Sequence, residues 1–347
     1  MDQKHLLFKD DDQEARRRWD AFWAGDLIDR PIVCVTAPKL PAPNVEPYPD
    51  NYYTRIYDDL EKLAAGVLNN HARFYYGGEA IPSAFMSFGC DEIAAFCGGE
   101  LRFHPDSVET NWSVPFVSQW ENELPLKIEA NNPLWQRMLR YCQIMAKTCK
   151  GKIELNPIDL HTNMDLLLAV RGGQELCIDL VDRPEMIDRA MDSARQIFAQ
   201  VWRETRLAAE LPMQSGATLQ CDFSCMISTE MFRRWALPAL EEEAEMVGHV
   251  KYHWDGPGAL THTDDLIRSK GLYLLSYVVG AGNGSHADFV ELFQKIQSGG
   301  KAVEVHGDID MIKWMHPQLD PRLVTYNTWA PDQQACDELL RWFVQHT

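Results

Sequence analysis

No apolar run in this chain approaches the ~20 residues that a membrane-crossing helix needs. No block of Lys and Arg offsets the acidic excess: 33 basic residues stand against 51 acidic ones, a formal net charge of −18. Such a surface repels nucleic acid and anionic membranes, so neither is expected as a partner. Cysteine is present but not as a framework. There are nine, an odd number, scattered without disulfide or zinc-knuckle spacing. That pattern reads as reduced thiols in a cytoplasm. The opening Met1-Asp-Gln-Lys-His5 lacks the apolar segment of a signal peptide, which supports the same compartment. Also missing are a Gly-x-Gly-x-x-Gly turn after the first expected strand, a Gly-x-Ser-x-Gly elbow, a Walker A loop and any internal repeat.

What is present suffices for one large core: 347 residues, 46% of them apolar, with 11 tryptophans. Residues 12–25 carry Trp19, Phe22 and Trp23 beside Arg16, Arg17 and Arg18, an amphipathic helix within an N-terminal extension over 1–30. Strands are expected near 32, 80, 155, 220, 252, 275, 303 and 324, with helical runs between most of them. The run 152–160 is one such strand, and Pro184 opens a long helix to about Leu207. Residues 100–128 read as short strands covering one end. Strands alternating with helices imply parallel pairing and right-handed crossovers. Eight of them indicate an α/β fold of the (β/α)8 TIM-barrel type, in one domain over 1–347.

The most informative stretch is Lys251-Tyr-His-Trp-Asp-Gly-Pro-Gly258: a short strand, a polar pair, a glycine turn and then a helical pattern. In a barrel, residues at the carboxyl ends of the strands converge on one mouth. The ends here offer Glu79, Asp159, His161, Asp222, His253, Asp255, Tyr277, His306, Asp308, Asn327 and Thr328. A single acid after a strand is commonly a helix cap, the plainer reading for Asp308 and Asp159. His253 and Asp255 stand two apart, so on a strand both point to one face. They suit a divalent ion, with His306 as a third ligand and a position left open for substrate. They equally suit metal-free acid–base work, or Asp255 simply orients His253. Asp222 and Glu79 are further candidates for catalysis. His161, Tyr277, His306, Asn327 and Trp254 are expected to meet the substrate.

The run Asp222-Phe-Ser-Cys-Met-Ile-Ser-Thr-Glu-Met-Phe-Arg-Arg-Trp-Ala-Leu-Pro238 resembles the uroporphyrinogen decarboxylase superfamily, with its strand-end Asp and "Ser-Pro-Glu-x-Phe…Pro" helix. Asp165-Leu-Leu-Leu-Ala-Val-Arg-Gly172 and Asp179-Leu-Val-Asp-Arg-Pro-Glu185 look like the leucine-rich helix and Pro-Glu segment of that superfamily. The resemblance implies a (β/α)8 barrel, commonly a homodimer. Of its two branches, the decarboxylase holds a polycarboxylate tetrapyrrole with arginines, and this acidic chain lacks an arginine cluster and the N-terminal Arg-x-x-Gly-Arg-Tyr segment. True uroporphyrinogen decarboxylation is therefore not expected. The corrinoid-dependent methyltransferase branch is closer: His253 stands where its zinc histidine stands, Asp255 replaces the first thiolate, and Asn327/Thr328 replace the later cysteine. This implies methyl transfer to or from a small substrate at a His/Asp site holding a divalent metal such as zinc. No cofactor is expected to be covalently bound, and the absence of an Asp-x-His-x-x-Gly motif assigns the corrinoid to a partner protein. The alternatives are a cofactor-free lyase on a small carboxylate, with His253 as general acid and Asp222 or Glu79 stabilising the intermediate, or a non-catalytic ligand-binding barrel.

Overall fold

The computed structural model describes residues 5–156 and 158–347. Met1–Lys4 and Pro157 lie outside the described residues, so the expected strand over 152–160 is seen only in part. Eleven strands are described: β1 (Ile32–Pro38), β2 (Phe74–Gly78), β3 (Ser83–Phe85), β4 (Glu100–His104), β5 (Ser107–Val114), β6 (Glu154–Asn156), β7 (Ala217–Gln220), β8 (Val250–Asp255), β9 (Leu272–Val278), β10 (Ala302–His306) and β11 (Val324–Trp329).

The architecture is a TIM-type α/β barrel. Seven strands form one sheet in the order β2-β1-β11-β10-β9-β8-β7. From β1 through β11 and on to β7 every pairing is parallel. The short parallel pair β3–β6 is a separate two-stranded sheet. β3 follows β2 in the chain, and Gln220 at the end of β7 donates to Asp159 beyond β6 at 2.6 Å, which ties the pair to the open end of the larger sheet. One pairing departs from expectation. The strand near residue 80 is split, and its first part, β2, runs antiparallel to β1, setting Gly77 against Val35 and Gly78 against Cys34. Gly78 takes φ +59, and a Cβ there would meet the Val33 carbonyl oxygen at 2.2 Å. Only glycine lets the chain turn this tightly against β1. The hairpin β4–β5 lies outside the barrel, within the region expected to hold covering strands.

Helices fill the crossovers, and Pro184–Ala208 is the longest described. Its eleven buried residues recur at helical spacing, which fastens one face to the core. Strand residues alternate. Along β8, Val250, Tyr252 and Trp254 are buried toward the helices, while Lys251, His253 and Asp255 are partly exposed on the inner face. The helix Asp12–Trp23 packs Phe22 against Ile32, Leu274 and Ala302, with Trp19 and Trp23 beside them. This apolar plug closes the amino-terminal end of the barrel and leaves the carboxyl end for polar groups. No helix among the described residues is long and apolar enough to cross a membrane. All nine cysteines are free.

Candidate active site

Two polar groups occupy the inner face at and below the barrel mouth. The first is built from the segment after β6 and the turn after β7. Asn163 holds φ 45, a left-handed conformation that asparagine adopts more readily than most residues. Its side chain donates to the Gln220 carbonyl at 3.1 Å, and its Oδ1 accepts from Met164 N–H at 2.7 Å. Thr162 Oγ1 donates to Glu243 at 2.7 Å. These bonds fix the backbone between His161 and Asp165.

Asp165 is buried, and its carboxylate accepts the backbone N–H groups of Asp222 (3.0 Å) and Phe223 (2.8 Å). The loop after β6 thereby ties down the turn after β7. His161 sits between acids, its Nδ1 at 3.7 Å from Asp165 Oδ2 and its Nε2 at 3.5 Å from Asp159 Oδ1. Ligand atoms of His161, Asp165 and Asp222 all lie within 4.8 Å of one another. Asp222 Oδ1 is buried and finds no hydrogen-bond partner among the described residues. Its nearest cation candidate is His253 Nε2 at 3.9 Å.

The electrostatics follow from this crowding. Burial, and next the charge of Asp165, push the Asp222 carboxyl up to about 6, against a smaller pull from His161 and His253. Asp165 is also shifted upward by burial, opposed by His161 and the two backbone amides. Burial presses His161 down, but Asp159, Asp165, Asp222 and Asp91 outweigh it, so its imidazolium is favoured. Several carboxylates around one imidazole make a site short of positive charge.

The second group centres on Glu304 of β10, which is 5% exposed. Its carboxylate accepts from Ser276 Oγ (2.5 Å), Asn327 Nδ2 (2.8 Å) and His306 Nε2 (3.0 Å), with Lys251 Nζ at 3.4 Å. Burial would raise its pKa, but His306, Lys251 and Ser276 reverse this and hold it well below the usual carboxylate range. A cavity of about 1050 Å³ opens over this group. Its lining includes Thr36, Tyr76, Asp159, Lys251, Asn327 and Trp329, and it reaches Trp19 and Trp23 at the plug.

The residues singled out in the sequence are placed as follows. His253 and Asp222 come together at neighbouring strand ends. His161, expected as a substrate contact, belongs to the acid cluster. Asp255 ends β8 on the inner face, partly exposed. His306 lies with Glu304 rather than with His253. Among the described residues, the metal-ligating atoms that converge are those of His161, Asp165 and Asp222, a group that does not include the expected set His253, Asp255 and His306. Asn327 does line the cavity.

Three other residues expected at the site are buried. Trp254 is fully buried on the outer face of β8, where its indole N–H donates to the Ala259 carbonyl at 3.0 Å, so it is a packing residue. Tyr277 is buried beside it, edge-on to Trp254 and Phe289. Glu79 has a fully buried carboxylate gripped by Arg30 at 2.5 and 2.9 Å and by Val33 N–H at 3.0 Å. That is a buried ion pair, at a residue that also borders the cavity described above. The residues missed from sequence were Asp165, Lys251 and Glu304. Lys251 and Glu304 carried a signal, since each stands two residues before a named histidine on the same strand face.

Comparison with known proteins agrees with this architecture. No family model matches the sequence, and no curated protein matches it. Among solved structures, the chain is similar to a methyltransferase from Methanosarcina mazei, at 12% identity and a TM-score of 0.63, over 96% of this chain and 98% of that one. A B12-independent methionine synthase from a Shewanella species, in complex with selenomethionine, aligns with 72% of each chain at 11% identity and a TM-score of 0.40. At such identities the first likeness establishes the barrel fold, and the second is too distant to argue from.

Proposed function

We propose that the chain is a barrel enzyme that transfers a methyl group to or from a small substrate, with a separate corrinoid protein as the methyl carrier. The observation that carries this reading is the convergence of His161, Asp165 and Asp222 beside His253 at the carboxyl ends of a barrel shared with a methyltransferase. The residues fit a divalent cation. Asp222 Oδ1 is buried without a partner among the described residues, and the surrounding acids outnumber the cations. One imidazole and two carboxylates form a hard donor set, without the thiolates that suit a thiol-activating zinc site. His161, Asp165 and Asp222 would hold such an ion, which would supply Lewis-acid activation of an oxygen or nitrogen group. His253, partly exposed beside Asp222, moves the proton that this group gives up or takes back. Asp159, 3.5 Å from His161, also lines the cavity, which is where the substrate would approach the cluster. The test is methyl transfer between methylcobalamin and small oxygen or nitrogen acceptors, before and after treatment with a chelator. Transfer that is lost with the metal and restored by divalent ions supports the reading; transfer that is unaffected by chelation contradicts it.

A second reading is favoured by one observation. Asp222, with its pKa near 6 and His253 at 3.9 Å, can hold and deliver a proton near neutral pH. That suits a cofactor-free lyase on a small carboxylate. Turnover in chelator with no methyl carrier present would select it.

A further inference from the structure

We infer that Lys251, with His306 and Asn327 beside it, forms an oxyanion subsite one layer below the mouth, and that the substrate is a small acid that places its carboxylate there. The inference rests on the proposed methyl-transfer site only for where the reacting group lies.

The argument starts from Glu304. Its two oxygens are surrounded by four donors from Ser276, Asn327, His306 and Lys251. Little acceptor capacity is left to offer a ligand, and the group is buried. The donors are not used up in the same way. Lys251 has three ammonium hydrogens and, among the described residues, one partner, at the long distance of 3.4 Å. Its side chain keeps 38% of its exposure although it stands inside the barrel, and the His306 side chain keeps 54%. Glu304, Lys251, His306 and Asn327 all line the cavity, but the Glu304 carboxylate is buried and engaged by donors, so Lys251 and His306 are the groups most exposed to it. With Trp329, Tyr76 and Phe85 on the cavity walls, a ligand oxyanion gains more from a charged donor than it would in bulk water.

Geometry sets the size of the ligand. Lys251 and His253 share the inner face of β8 and are two residues apart, about 6.6 Å along the strand. Lys251 is the deeper of the two. An acid whose carboxylate meets Lys251, and which extends along the inner face of β8, then places an atom some 6–7 Å away, level with His253. A benzene ring with a para substituent spans about that distance, and the aromatic walls suit its faces.

The test uses benzoate and its neutral counterpart benzamide as probes, measured by calorimetry or ligand-observed NMR on the full chain, without methyl carrier. Benzoate is expected to bind at least about tenfold more tightly than benzamide, and Lys251→Met is expected to erase that preference while Lys251→Arg keeps most of it. Because Lys251→Met strands a buried Glu304, the double variant Lys251→Met/Glu304→Gln is measured alongside; it should fold and show the same loss. Equal binding of the two probes, no saturable binding of benzoate, or an unchanged preference in the folded double variant would overturn the inference. The measurement needs no methyl transfer, so failure of the proposed reaction and failure of this subsite are separately visible.

Discussion

His253 Nε2 lies 3.9 Å from Asp222 Oδ1, across the gap between the ends of two neighbouring strands. The β7–β8 ladder pairs Gln220 with His253, and Asp222 continues two residues beyond Gln220. The separation is too long for a direct hydrogen bond. It leaves the imidazole free to act on a substrate atom while the carboxylate belongs to the acid cluster. His253→Ala is therefore expected to lower turnover by roughly 10²-fold or more, the usual contribution of a positioned acid or base. Its metal content should match wild type, because His253 stands outside the convergent three. Kinetics and metal analysis on the same preparation check both halves.

Glu79 separates a structural role from a catalytic one. Its carboxylate and the Arg30 guanidinium are both buried, so removing one partner leaves the other uncompensated. Glu79→Gln should cost about 3–5 kcal/mol of stability. Denaturant unfolding measures it. A variant as stable as wild type but inactive would return Glu79 to the catalytic group.

Glu243 gives the fold a pH dependence. Burial pushes its carboxyl up to about 8, with hydrogen bonds from Thr162 and Asn163 only partly opposing this. A folded-state pKa above the unfolded value near 4.3 means that the folded chain binds the extra proton between those limits. Stability from this group is full at low pH and falls as pH rises from about 4.3 toward 8. Glu243→Gln should flatten that fall, gaining on wild type by a few kcal/mol between pH 5 and pH 8, at ~1.4 kcal/mol per pK unit. Unfolding midpoints across this range test the slope.

Asn163 provides a local test of the scaffold. Its φ of 45 suits asparagine or glycine. Asn163→Ala should cost about 1–2 kcal/mol from the backbone, plus the lost bond to the Gln220 carbonyl. Asn163→Gly should recover the backbone part. Thermal unfolding of the pair separates the two contributions.

Much of the barrel was legible in the chain. The run Val250–Asp255 alternates as a strand with one buried face, and the structure places the strand on those residues. The strand positions 32, 155, 220, 275, 303 and 324 likewise fall on β1, β6, β7, β9, β10 and β11. The reversal of β2 was not legible, because Gly77 and Gly78 signal a turn without giving its direction. The misplacement of Trp254 was avoidable. If His253 and Asp255 face inward, the residue between them faces outward. The convergence of His161, Asp165 and Asp222 could not be read locally. It depends on the loop after β6 reaching the turn after β7, and on Asp165, in the first turn of the leucine-rich helix Asn163–Arg171, accepting the backbone N–H groups of that turn.

The most direct measurement is the divalent metal content of the purified chain, wild type beside His161→Ala, Asp222→Ala, Asp255→Ala and His306→Ala. The expected result is one ion per chain, lost in His161→Ala and Asp222→Ala and retained in Asp255→Ala and His306→Ala. No ion in wild type after reconstitution, or an ion that survives loss of His161 and Asp222, would contradict the account of the site.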